Sequence, residues 1–215
     1  MNNNYLCVFD YETSSASPAN TQILQIGAAI LDPRSLNIVD EFNAVAKYDD
    51  WSTVSSKALE VNHLTKEQLD KAPIIDIVWK QFVMFINKYS KGNQWTRPIP
   101  CGHNICSFDL PITNRYAKRF GNWSKKEERN TLFHPIYAID TLPLLFSWFE
   151  NEKEPKSMSL TNIAKHLGKT EEELALAHTA IEDVKINIDI MVRFLRFQRK
   201  LMGAYRDVMK GALSG

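Results

Sequence analysis

The order of apolar patterns along the chain predicts an α/β fold: a central mixed five-stranded sheet flanked by helices. Three strand-like runs follow one another near the N-terminus and two short ones come later. The residues between and beyond them repeat at steps of three and four, the period of helices packed on a sheet.

The first run, Tyr5 to Phe9, ends in Asp10-Tyr11-Glu12-Thr13. Side chains alternate across a strand, so Asp10 and Glu12 project from one face. Two like charges so placed repel each other and call for a cation, and an all-oxygen donor set favours a hard one such as Mg²⁺ or Mn²⁺. Gln22 to Leu31 is the second run, Asp32-Pro33-Arg34-Ser35 reads as a turn, and Leu36 to Ala46 returns as a third strand. Short links between the three suggest an antiparallel meander, with Ser14 to Asn20 exposed beside the acidic strand end.

Helices follow. Ser56 to Val61 makes a short one, and Thr65-Lys66-Glu67-Gln68 matches a capping box. Ile74, Ile77, Val78, Phe82, Phe85, Ile86 and Tyr89 line one face of a longer helix that Gly92 ends. Ile99 to Gly102 is a short strand that delivers His103 and Asn104 to its end, and Asp109-Leu110-Pro111 reads as a helix start. Ile136 to Ile139 is the last strand, with Asp140 capping a helix through Leu142, Leu145 and Phe146. Leu160 to Leu167 is another amphipathic stretch, stopped by Gly168. With no internal repeat or long linker, one domain is expected over residues 1–215, with 1–4 and 211–215 as flexible tails.

Composition narrows the partners. With 26 basic against 25 acidic residues the net charge is +1, so a polyanion must be held by a local patch or a metal rather than by a global field. Hydrophobic residues at 44% and aromatics at 11% suffice for a substantial core. Cys7, Cys101 and Cys106 are an odd set without a Cys-x-x-Cys pair, which favours buried thiols over disulfides or half a zinc site with His103. The start is polar and no apolar run reaches spanning length, so a cytoplasmic protein without membrane partners is expected. The sequon Asn122-Trp123-Ser124 then carries no weight. Gly168-Lys169-Thr170 lacks the earlier glycine of a phosphate loop, since Ile163 stands there.

His178-Thr179-Ala180-Ile181-Glu182-Asp183 decides the functional reading. On one continuous helix, residues five apart are rotated by about 140° and would not share a site. Thr179-x-x-Glu182 fits a capping box, however, which puts His178 just before the cap and Asp183 at the fourth helical position, the pair that meets across a helix entry. Val184, Ile188, Met191 and Leu195 continue as a buried stripe, with Asn187 one turn beyond Asp183. Two basic sets are candidate phosphate guides: Arg115, Lys118, Arg119, Lys125, Lys126 and Arg129, and then Arg193, Arg196, Arg199 and Lys200.

Asp10-x-Glu12-Thr13, then Gly102-His103-Asn104 with Phe108-Asp109, then His178 with Asp183 five residues on, resemble the three ordered motifs of the DEDDh (DnaQ-like) 3′→5′ exonucleases. The resemblance spans residues 5 to about 195, with softer likenesses at Gln25-Ile26-Gly27, Leu64 to Pro73, Asp140-Thr141-Leu142 and Ser159 to Gly168. A tyrosine-type relative would carry Tyr where Thr179 stands. The resemblance implies an RNase H-like fold, with Asp10, Glu12, Asp109 and Asp183 around two divalent cations, Mg²⁺ or Mn²⁺, and His178 as general base. It places Thr13, His103, Asn104 and Phe108 near the terminal nucleotide. The implied reaction releases nucleoside 5′-monophosphates from a free 3′ end, with single-stranded or frayed DNA the favoured partner. An RNA-directed exonuclease, including an oligoribonuclease limited to short oligoribonucleotides, and a non-catalytic module gripping nucleic-acid ends are the rival readings.

Overall fold

The computed structural model describes residues 3–175 and 179–205. Three strands open the chain: β1 (Leu6–Thr13), β2 (Ile23–Leu31) and β3 (Ile38–Val45). β1 is longer than its apolar run, because Asp10 and Glu12 lie inside the strand rather than beyond it. Next come α1 (Ser56–Val61), α2 (Lys66–Lys71) and α3 (Ile75–Asn87). The Thr65 capping box is formed in both directions: Thr65 Oγ1 accepts from Gln68 N at 3.2 Å and Gln68 Oε1 from Thr65 N at 2.8 Å.

β4 (Ile99–Gly102) leads through a tight loop into α4 (Asp109–Arg119). A small hairpin follows, β5 (Trp123–Ser124) with β6 (Arg129–Asn130), too short for any period to announce. β7 (Ile139–Asp140) is only the end of the strand expected from Ile136. The reason is local: His134 Nδ1 accepts the N–H groups of Ile136 and Tyr137 at 3.3 and 3.1 Å, turning that segment away from the sheet. α5 (Thr141–Phe149) starts at Asp140, whose carboxylate accepts from Leu142 N as a cap should. α6 (Leu160–His166) ends where Gly168 takes φ +97°, a left-handed position that suits glycine. Thr170 then opens α7 (Glu171–Ala175) by a reciprocal bond pair with Glu173, so Gly168-Lys169-Thr170 is a helix entry. α8 (Ala180–Ala204) is the longest element.

The sheet runs β3-β2-β1-β4-β7, antiparallel for the first three strands and parallel from β1 through β4 to β7. It is the expected mixed five-stranded sheet, with helices on both faces. Cys7, Phe9 and Tyr11 of β1 pack on one face with Trp79, Phe82 and Ile86 of α3 and Ile112 and Tyr116 of α4. Leu6 and Val8 point the other way, against Ile181, Val184, Ile188 and Met191 of α8. By the same alternation Asp10 and Glu12 belong to the α8 face. Cys7 and Cys101 are buried as expected, while Cys106 is exposed. Among the described residues no helix is long and apolar enough to cross a membrane.

Candidate active site

β1 and α8 together build an acidic cluster. Asp10 and Glu12 sit two residues apart on the α8 face of the sheet, and Asp183 enters from the first turn of α8. One carboxylate oxygen from each lies within 4.8 Å of the other two. Gly27 makes that approach possible. It pairs with Asp10 in the register of β1 and β2, and a Cβ built on it would lie 2.3 Å from the carbonyl carbon of Ala180 and 2.5 Å from Ile181 N. The backbone of the first turn of α8 therefore rests directly on Gly27, which brings Asp183 over the strand that carries the other two acids.

Asp109 reaches the same region from the opposite layer. β4 pairs with β1 only at Leu6, Cys7 and Val8, which leaves the later backbone of β1 without a strand on that side. Asp109, at the start of α4 and 2% exposed, fills the gap: its Oδ1 accepts the N–H of Tyr11 at 3.2 Å. The structure thus brings Asp10, Glu12 and Asp183 within shared ligand distance and sets Asp109 beside them, outside that group of three.

Burial and mutual repulsion raise the affinity of these groups for protons. The Asp10 carboxyl is pushed well above the usual carboxylate range, first by burial and then by the charges of Asp109, Glu12 and Asp183. Glu12 is pushed up to about 7 by burial and by Asp183. Burial takes Asp109 to about 8 against the opposing pull of its backbone hydrogen bonds, and Asp140 and Glu12 add to the rise. Several buried carboxylates that resist ionisation together are a site short of positive charge. An oxygen-only donor set of this kind fits a hard divalent cation.

The remaining expected residues divide. Thr13 lines an open cavity of about 320 Å³ together with Ser15, Lys57, Val61 and Asn62. Its carbonyl accepts from Asn62 Nδ2 at 3.1 Å, which ties the end of β1 to α1. His103 has both ring nitrogens engaged inside the protein, Nδ1 with Thr141 Oγ1 at 3.0 Å and Nε2 with Met158 O at 2.7 Å. Its geometry is that of a brace rather than of a free nucleotide contact. Phe108 is partly buried against the core that contains Phe9, so packing accounts for its ring. Asn104 holds φ +60° in the loop between β4 and α4. His178 lies outside the described residues.

Other expectations are corrected by particular contacts. Thr179 is the residue before α8, but its side chain makes no cap bond, and Glu182 instead pairs with Lys185 at 2.9 Å. Asn187 bonds Thr141 Oγ1 at 2.8 Å. Much of the first basic set is engaged internally: Arg115 binds the Thr21 carbonyl, Arg119 pairs with Asp49, and Lys118 lies 4.3 Å from the centre of the Trp123 ring. In the second set Arg193 pairs with Asp189, and Arg199 donates to the carbonyls of Pro33 and Arg34. Sequence patterning missed the cavity beside Thr13, because α1 and β1 are brought together only by the fold.

Comparison with known proteins adds to this geometry. The RNase T-type family model described as "Exonuclease" matches residues 7–191. A DNA polymerase III of PolC type from Clostridium perfringens is 29% identical over 94% of this chain, and Protein NEN4 of Arabidopsis thaliana is 26% identical over 87%. The chain spans 12% of the length of the first and 66% of the second. Among solved structures, E. coli exonuclease I in complex with a dT13 oligonucleotide superposes with TM-score 0.69 at 16% identity, covering 96% of this chain and 43% of that one. A 3′-exonuclease described in 3′-end recognition of a histone mRNA stem-loop gives TM-score 0.65 at 15% identity, covering 91% and 83%. At such identities the superpositions bear on the fold, which is RNase H-like.

Proposed function

Since the chain belongs to the exonuclease family of DnaQ-like type, hydrolytic nucleases that act on nucleic acids, we propose that it removes nucleoside 5′-monophosphates from the 3′ end of DNA, with single-stranded or frayed ends as substrate. The observation that carries this reading is the convergence of Asp10, Glu12 and Asp183 within 4.8 Å, with Asp109 alongside. In the proposal all four carboxylates hold divalent cations, two in number and either Mg²⁺ or Mn²⁺. Such ions, when bound, supply the charge that makes a water nucleophilic and stabilises the departing oxygen.

The side chains provide the rest. His178, by its position in the motif, takes the proton of the attacking water, a task suited to an imidazole that titrates near neutrality. The cavity beside Thr13 lies next to Glu12 in sequence and receives the terminal nucleoside, with Lys57 at its rim and Val61, 52% exposed, offering an apolar surface to a base. Asn104 approaches the same nucleotide from the loop before α4. The preference for DNA is supported by the polymerase relatives and by the exonuclease I complex. A preference for RNA is the second reading, favoured by the likeness to the histone mRNA 3′-exonuclease.

Digestion of 3′-labelled single- and double-stranded DNA and RNA with Mg²⁺ or Mn²⁺ tests the proposal. Mononucleotides should appear from DNA, and EDTA or Asp183→Ala should stop their release while the fold survives. Replacement of His178 should slow turnover about 10² to 10⁴-fold, the usual size of general-base catalysis. Faster digestion of RNA than of DNA would transfer the assignment to the second reading, and release that persists in EDTA would remove the metal.

A further inference from the structure

Asp140 ends β7 next to the loop that links β4 to α4, and its carboxylate is spent on backbone. Oδ1 accepts the N–H of Asn104 at 2.9 Å and that of Leu142 at 3.1 Å, and Oδ2 accepts the N–H of Cys106 at 3.0 Å. Only the Leu142 bond is needed to cap α5. The other two reach 36 and 34 residues back to residues 104 and 106. Those residues need holding. Asn104 sits at φ +60°, a conformation that L residues adopt at some cost, and its carbonyl accepts the N–H groups of Ser107 at 3.2 Å and Phe108 at 3.1 Å. Phe108 is the residue before α4, and Asp109 comes next.

From this chain of contacts we infer that Asp140 is a positioning residue, a clamp that fixes the 104–108 loop and thereby aims the Asp109 carboxylate at the other acids. The inference rests on the nuclease reading for its chemistry. Electrostatics alone would argue against an acid here, since the charge of Asp140 adds to the repulsion felt by Asp109. Its benefit is therefore geometric: three charge-assisted bonds from one side chain. The neighbouring residue adds a second tie. Thr141 Oγ1 touches His103 Nδ1, the Gly102 carbonyl at 3.2 Å and Asn187 Oδ1, which links the end of β4 to α8 one turn beyond Asp183.

Asp140→Ser separates clamp from cap. A serine oxygen still serves Leu142 N but is too short to reach both loop amides. Amide hydrogen exchange of the metal-free protein, resolved by residue, should show Asn104 and Cys106 protected in the wild type and exchanging roughly 10-fold faster or more in the variant, as expected for loss of a bond of about 1.4 kcal/mol. On 3′-labelled single-stranded DNA, kcat should fall roughly 10-fold to 100-fold, the range expected for a misplaced reacting group, with KM changed much less. The Mg²⁺ concentration for half-maximal rate should rise. If Asp140→Ser does not fold, Asp140→Asn substitutes for it: Oδ1 keeps its two bonds, an NH₂ group faces the Cys106 N–H, and only that amide should lose protection. Equal exchange in wild type and variant overturns the clamp, and lost protection with unchanged kcat overturns the positioning. A wild-type chain that releases no nucleotide counts against the nuclease reading instead, and the exchange data still decide the clamp.

Discussion

The proton affinities of Asp10, Glu12 and Asp109 make the site a source of instability in the metal-free protein. An unfolded chain ionises Glu12 near 4.5 and Asp109 near 3.8, whereas the folded chain holds those protons to about 7 and about 8. Between these values the folded state carries protons that the unfolded state has lost, so stability falls as pH rises through that window. Metal-free protein should therefore show a lower Tm at pH 8 than at pH 5, and Mg²⁺ or Mn²⁺ should restore it at pH 8, as thermal scans at both pH values would show. Asp10→Asn removes one of the repelling charges. It should raise the metal-free Tm at pH 8, by on the order of 1 to 3 kcal/mol of stability, and flatten the pH slope while nucleotide release is lost. The shared face of Asp10 and Glu12 was legible from strand alternation alone. The engagement of His103 was not, since its partners Thr141 and Met158 lie 38 and 55 residues away and one of them is a backbone carbonyl. Nor did any pattern show that Asp140 would hold two distant amides as well as its own helix.

At the scale of elements, the contact between β2 and α8 sets the site. Gly27→Ala would drive a methyl into the Ala180 backbone, and neither a strand paired on both sides nor the entry of a 25-residue helix can yield without repacking. Overpacking of this kind typically destabilises by about 1 to 3 kcal/mol. The expected outcome is a lower denaturant midpoint together with a loss of activity larger than the stability change explains, because Asp183 is carried away from Asp10. Activity close to wild type would show that α8 tolerates the shift. Elements with a long period were readable in advance: α3 starts within a residue of its apolar stripe and buries Val78, Phe82, Phe85 and Ile86 of it, although Ile74 and Ile77 are exposed and Ile75 and Trp79 take the buried face instead. Elements decided by local side-chain contacts that no period reports were not. β7 shrinks to two residues because the His134 ring captures the amides before it, and the Thr179 box is left unmade while Glu182 turns to Lys185.

Among the described residues the sheet separates a core packed against α3 and α4 from one packed against α8; Asp10, Glu12 and Asp183 lie on the α8 side and Asp109 reaches in from the other. Phe82, fully buried between α3 and β1, contacts the rings of Phe9, Tyr11, Phe42 and Trp79. Phe82→Ala should cost about 3 to 5 kcal/mol by leaving a cavity in that core, measurable as a shift in urea midpoint at nearly constant m-value. The fold class was visible from element order, whereas the meeting of residues 10, 12, 109 and 183 depends on crossovers that no local window contains. That wide separation has a consequence for synthesis. A ribosome delivers the two acids of β1 first and Asp109 about a hundred residues later, so a nascent chain has an incomplete acidic cluster until Ala180–Ala204 has emerged and settled onto Gly27. In the proposed reading, the capacity to cut is then among the last properties the growing polypeptide acquires.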